Sequence, residues 1–348
     1  FGDLFGDKNR VYSLVLFSVL SLIFFYKIIA IVTNNYWLAS LGFLVLASNP
    51  LHSFFSKFLV TEVVALSFTL GAFYYLIRYY QQFEPNKLYL WISAGLMGGF
   101  FFTRISGFMY IPFFMLLYIV NSVENENIIK RKSIGRYLAL IGLLYILSLF
   151  YGLTFSFPYS WSVYFKSFSL FFGHYWIYLT PIFIVLLVIF TKFFDIAKIK
   201  NFTYSYNILS RFYRLIPFAF MVILMFGIFY VYYKTTAEPA GASDKFSFSG
   251  LGWSALPKSS LFLSIFYISI PLFTFMCFAS FDKNISFYAK LAFCFIVPFW
   301  IYIAFLQNVI PYQYYYSRYL MSEIVPYSIL FAFLLIPRYI NKKLLIYT

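Results

Sequence analysis

The chain has 348 residues, of which 63% are hydrophobic and only 11% charged, with a formal net charge of +15. A soluble domain carries about 25% charged residues, so a water-soluble globular fold is excluded; continuous apolar runs, in place of short alternating segments, exclude a β-barrel. The basic excess does not mark a nucleic-acid binder, because the Lys and Arg residues sit in short loops between apolar spans, where they set orientation.

Apolar runs long enough to cross a hydrocarbon core of roughly 30 Å recur along the whole length. They predict an all-α, polytopic transmembrane protein with about eleven membrane segments, forming a single transmembrane domain over residues 1–348. The first five segments fall at 11–32, 36–49, 59–80, 88–103 and 106–120, the second and fifth being short. The remainder fall at 137–156, 176–194, 215–233, 260–281, 289–310 and 319–337. Two connections are long. Residues 157–175 are aromatic with scattered polar groups and read as an interfacial segment, and residues 234–258, rich in Gly, Ser, Ala and Pro, read as a loop.

The basic residues divide unevenly between the two sets of alternating loops, and Lys130-Arg131-Lys132 and Asn341-Lys342-Lys343 are the densest clusters. The richer set is cytoplasmic by the positive-inside rule. Phe1 is then outside and Thr348 inside, and an odd number of spans from an outside start implies a further helix upstream. Cys277 and Cys294 both lie within apolar spans, and no His or Cys spacing suits a metal. The two glycosylation sequons, at Asn201 and Asn284, fall on the inner side.

Ionisable groups in or beside a span are costly and therefore candidates for function. On this topology they collect at the outer ends: His52, Lys57 and Glu62 near the third segment, Arg104 in the turn between the fourth and fifth, and Arg318 and Glu323 at the start of the last. Lys166 and His174 lie in the first long outer loop. Asn49-Pro50 is a helix start, with Asn as N-cap and Pro in the first turn. A helix running on to Tyr80 would be about 46 Å long, more than the bilayer needs. Residues 50–58 are therefore expected along the outer surface. If helical throughout, Ser53, Lys57 and Thr61 would share a face while Glu62 pointed about 140° from Lys57.

Three stretches together resemble the fold-C (GT-C) polytopic glycosyltransferases that use polyprenyl-phosphate sugars, a group that includes relatives of the protein O-mannosyltransferases and the lipid A aminoarabinose transferase. The first runs from Val11 through Ser48-Asn49-Pro50 and Phe55-Ser56-Lys57 to Thr61-Glu62. The second is the Gly-rich run from Gly95 to Thr103-Arg104 and Gly107. The third is Tyr316-Ser317-Arg318-Tyr319 leading to Glu323 and Pro326, with Met321 or Ser322 where that family often has a proline.

The resemblance implies transfer of a sugar from a polyprenyl-phosphate donor to a glycan, lipid or protein acceptor on the outer face of a bacterial plasma membrane. Lys57, Arg104 and Arg318 would hold the donor phosphate. Glu62, Glu323 and His52 would orient those cations or the sugar. The resemblance names no cofactor beyond the polyprenyl-phosphate sugar donor and leaves dependence on a divalent metal open. The family's catalytic acid follows its first helix, so it is expected upstream of Phe1, with Asp3 and Asp7 near the end of that loop. The competing readings are a transporter or flippase of a lipid-linked or anionic substrate, and a non-catalytic membrane subunit.

Overall fold

A computed structural model describes residues 10–57, 61–82, 86–104, 107, 110–124, 128–156, 264–279, 286–301 and 323–339. Among these residues all regular structure is helical: α1 (Arg10–Thr33), α2 (Tyr36–Ala47), α3 (Pro50–Phe55), α4 (Glu62–Gln81), α5 (Lys87–Thr103), α6 (Ile111–Glu124), α7 (Ile128–Phe155), α8 (Ile270–Ala279), α9 (Phe287–Ile301) and α10 (Val325–Tyr339). Tyr12–Thr33, Glu62–Gln81 and Ser133–Phe155 are long and apolar enough to cross a membrane. The protein is helical and membrane-associated. The segments predicted at 176–194 and 215–233, and the connections 157–175 and 234–258, lie outside the described residues.

The chain divides into two compact units. The first comprises Phe1–Leu66 and Arg214–Thr348, and the second Ser67–Tyr213. Helix α4 starts in the first and runs into the second.

In the first unit, α1 and α2 form an antiparallel pair joined by Asn34 and Asn35. Asn34 takes a left-handed conformation with φ 53°, which its short polar side chain tolerates. Asn35 caps α2 by accepting from the Leu38 amide at 2.9 Å. The buried face of α1 carries Leu14, Ser18, Ser21, Phe25 and Ile28, alternating spacings of four and three that keep one seam inward. Tyr12, Val15, Leu16, Val19 and Ile23 are exposed on the other side, the side suited to lipid. At Gly42 an added Cβ would stand 2.5 Å from Ile29 Cδ1, so glycine permits close approach of α2 to α1.

The centre of this unit is α10. Every residue from Val325 to Leu335 is buried, and the helix packs on α1, α2, α8 and α9. The Trp300 indole N–H donates to Ser328 Oγ at 3.2 Å, and Phe295 stacks on Tyr327 with centroids 4.9 Å apart.

The second unit packs α5 and α6 against α7. Ser93 on α5 donates to the Ala72 carbonyl of α4 at 2.7 Å and lies 3.0 Å from the Tyr137 hydroxyl of α7. Tyr80 donates to Asn121 Oδ1 at 2.9 Å, joining α4 to α6. In the Gly-rich stretch, Gly98 faces Leu144 and Gly99 faces Phe68, but Gly95 has nothing within 4 Å of a built Cβ. Two of these glycines serve close packing, and the third lies on an open face.

Two boundaries differ from the sequence reading. Helix α7 begins at Ile128, not 137, so the basic run Lys130–Lys132 lies in its first turn; Lys and Arg are good helix formers. The segment expected at 260–281 is interrupted at Ser269, which has φ 79° and is followed two residues later by Pro271.

Candidate functional site

Residues 50–80 are divided, as the length argument expected, into Pro50–Phe55 and Glu62–Gln81. Asn49 is the N-cap, accepting from Leu51 N at 3.1 Å, with Pro50 in the first turn. Helix α3 ends after six residues, where the Ser56 side chain donates to the His52 carbonyl at 2.8 Å. Helix α4 starts afresh: the Thr61 carbonyl accepts from Ala65 N at 2.8 Å, and Glu62 is its first residue. The angular relation expected between Lys57 and Glu62 on one continuous helix therefore does not apply.

Nor does α3 lie level with an end of α1. Helix α2 rises only about 18 Å over its length, half of the roughly 36 Å of α1. A chain climbing from the Asn34–Asn35 turn thus reaches Asn49 beside the middle of α1. The side chains agree with this level. His52 Nε2 lies 3.1 Å from Ser21 Oγ and 3.5 Å from Ser18 Oγ. The Ser21 hydroxyl hydrogen is committed to the Ser18 carbonyl at 2.7 Å, so toward His52 its oxygen is the acceptor and Nε2–H the donor. Burial holds the imidazole below its ordinary pKa, since desolvation penalises the charged ring.

A second interrupted helix meets this junction. Pro271 has no N–H to give the carbonyl four residues earlier, which belongs to Tyr267. The Asn49 side chain supplies the donor instead, Nδ2 to Tyr267 O at 2.7 Å. Ser269 then caps α8: its carbonyl accepts from Phe273 N at 2.9 Å and its hydroxyl from Leu272 N at 3.4 Å. One asparagine amide thus serves two helix breaks, its oxygen at α3 and its nitrogen at the turn before α8.

The six residues expected to form a site have different environments. His52, Glu62 and Glu323 are buried, at 2%, 2% and 1% exposure, and all belong to the first unit. Lys57 is exposed just beyond α3. Glu62 sits at the N-terminal mouth of α4, where the helix dipole favours a carboxylate, and Glu323 immediately precedes α10. Arg104 belongs to the second unit, as the half-buried C-cap of α5, with extended backbone and its N–H donated to Phe100 O at 2.9 Å. Arg318 lies outside the described residues.

Sequence reasoning passed over Ser18, Ser21 and the partnership of Asn49 with Tyr267. Pro271 within an apolar run was the available signal, since it orphans a carbonyl that some donor must satisfy. Chemically, the first unit offers two buried carboxylates at helix starts, a buried imidazole and a lysine at the surface. Such groups can orient hydroxyls and cations but hold no reacting atom by themselves. No protein-family model, curated protein or solved structure matches the chain.

Proposed function

We propose that the protein is a membrane glycosyltransferase of the GT-C type that moves a sugar from a polyprenyl-phosphate donor to a glycan, lipid or protein acceptor on the outer side of a bacterial plasma membrane. About eleven membrane segments, an outward Phe1 and a cytoplasmic Thr348 belong to the same reading. The observation that carries it is the sequence of a short Pro-led helix, an exposed Lys57 and a buried Glu62 at the mouth of α4. That local arrangement, a cation and a carboxylate at the break between two helices, suits an anionic group whose isoprenoid tail lies in lipid. The family resemblance assigns the phosphate to Lys57, Arg104 and Arg318, cations of the kind that would stabilise it as it departs. Glu62, Glu323 and His52 orient the cations and the sugar hydroxyls. The base that activates the acceptor is not assigned to any of these residues.

A transporter or flippase of a lipid-linked substrate is the second reading, favoured by the two interrupted helices joined through Asn49 and Tyr267. Discontinuous helices are where transporters bind substrate. The deciding experiment uses the full-length protein in vesicles loaded with a polyprenyl-phosphate sugar. Transfer to an acceptor extract, lost in Arg104→Ala and Glu62→Gln at unchanged unfolding midpoint, supports the enzyme. Movement of the intact donor across the bilayer without glycosidic transfer supports the transporter. Undiminished transfer by Arg104→Ala removes that residue from the site.

A further inference from the structure

The second unit holds a cleft that the proposed reaction does not use. It lies between the start of α5 and the second to fourth turns of α7, has a volume of about 50 Å³, and is bounded by Lys87, Trp91, Ser133, Arg136, Tyr137 and Leu140, with Leu90 at its base. That volume holds a few waters or one phosphate group.

Among the described residues that line it, the charge is one-sided. Lys87 and Arg136 come from different helices and are both exposed. The N-terminus of the 17-residue α5 adds the positive end of its dipole at the same place. Tyr137 and Ser133 are buried beneath them, and the Tyr137 hydroxyl is already engaged with Ser93. The cations therefore define the mouth of the cleft, and the neutral groups form its floor.

Away from the cations the surface turns apolar without becoming covered. Leu88 and Trp91 on α5 are 57% and 59% exposed, and Leu143 and Leu147 on α7 are 53% and 47% exposed. Gly95, one helical turn beyond Trp91, has open space where a side chain would be. A pair of cations beside a Trp, continuing into exposed leucines and an open glycine, has the polarity of a phospholipid: anion at one end, acyl chain at the other. A free phosphate would use only the first half.

We propose that this cleft binds the phosphodiester headgroup of an anionic phospholipid, with an acyl chain lying along the α5–α7 face past Gly95. Each basic residue near a membrane surface contributes enough to lipid affinity that loss of both predicts about a thirtyfold weakening.

The test titrates the purified full-length protein, in neutral detergent, with phosphatidylglycerol, phosphatidylcholine or inorganic phosphate, reading the shift in unfolding midpoint. Phosphatidylglycerol should stabilise the wild type at concentrations where phosphatidylcholine does not. Lys87→Ala/Arg136→Ala should need about thirty times more of it, whereas Arg338→Ala, at the end of α10 in the other unit, should titrate like wild type. Gly95→Leu should weaken phosphatidylglycerol and leave any response to phosphate unchanged. Equal stabilisation by both lipids, or an unchanged titration in the double variant, overturns the site. Inorganic phosphate matching phosphatidylglycerol, with Gly95→Leu without effect, overturns the lipid assignment. Both cations and Gly95 are on exposed faces, so the variants keep the packed interior.

Discussion

Asn49 has two roles, and they separate by substitution. Its carbonyl oxygen caps α3 and its amide nitrogen satisfies Tyr267, whose helical donor is missing at Pro271. Asn49→Ser keeps a capping oxygen but cannot span to Tyr267, removing a part-buried hydrogen bond at a cost of about 0.5–1.5 kcal/mol. Asn49→Ala also loses the cap, worth about 1 kcal/mol more. The unfolding midpoint in detergent should fall in the order wild type, Asn49→Ser, Asn49→Ala; equal midpoints for the two variants would mean that the cap contributes nothing. The cap was legible in the sequence because Asn-Pro acts within one turn. The bond to Tyr267 was not, because its partners are 218 residues apart and no local pattern joins them. The same holds for His52: its residue type marked it, but its partners Ser18 and Ser21 are ordinary serines in an apolar run.

At the scale of the helix, glycines that look alike in sequence differ in what surrounds them. Gly42 is enclosed by Ile29, Phe25 and Phe333, the nearest atom 2.5 Å from a built Cβ. Gly42→Ala therefore forces the Ile29 δ-methyl of α1 aside, with Phe25 and Phe333 left at contact distance, and should cost about 1 kcal/mol. Gly95→Ala meets nothing within 4 Å and should instead stabilise α5 by about 0.5–1 kcal/mol, the ordinary helical preference for alanine. Thermal unfolding of both variants checks the pair, and a destabilised Gly95→Ala would contradict the open face on which the lipid cleft depends. Helix existence was readable from apolar runs, since every described helix longer than α3 overlaps a predicted segment. Helix ends were not. Pattern reading extends through a break when both flanks are apolar, as at Ser269, and it stops too early at charges, as before Tyr137.

For the whole molecule, α4 supplies the firmest test of topology. It is the most interior of the three span-length helices, with 72% of its apolar window buried against 33% for α1 and 28% for α7. Its 20 residues extend about 30 Å, one hydrocarbon thickness. Lys57 precedes it, Lys87 follows it, and both are exposed. If α4 crosses the membrane, these two positions are on opposite sides whatever the orientation. By the positive-inside rule, the excess of Lys and Arg in the loops that include Lys87 predicts that side to be cytoplasmic. With Cys277 and Cys294 replaced by alanine, Lys57→Cys should react with a membrane-impermeant maleimide on intact cells, and Lys87→Cys only after the membrane is opened. The reverse pattern would keep the crossing but invert the protein, moving Lys57 and Glu62 to the cytoplasmic face and ending the outer-face glycosyltransferase reading. Labelling of both on intact cells would deny that α4 crosses at all, despite its length and composition.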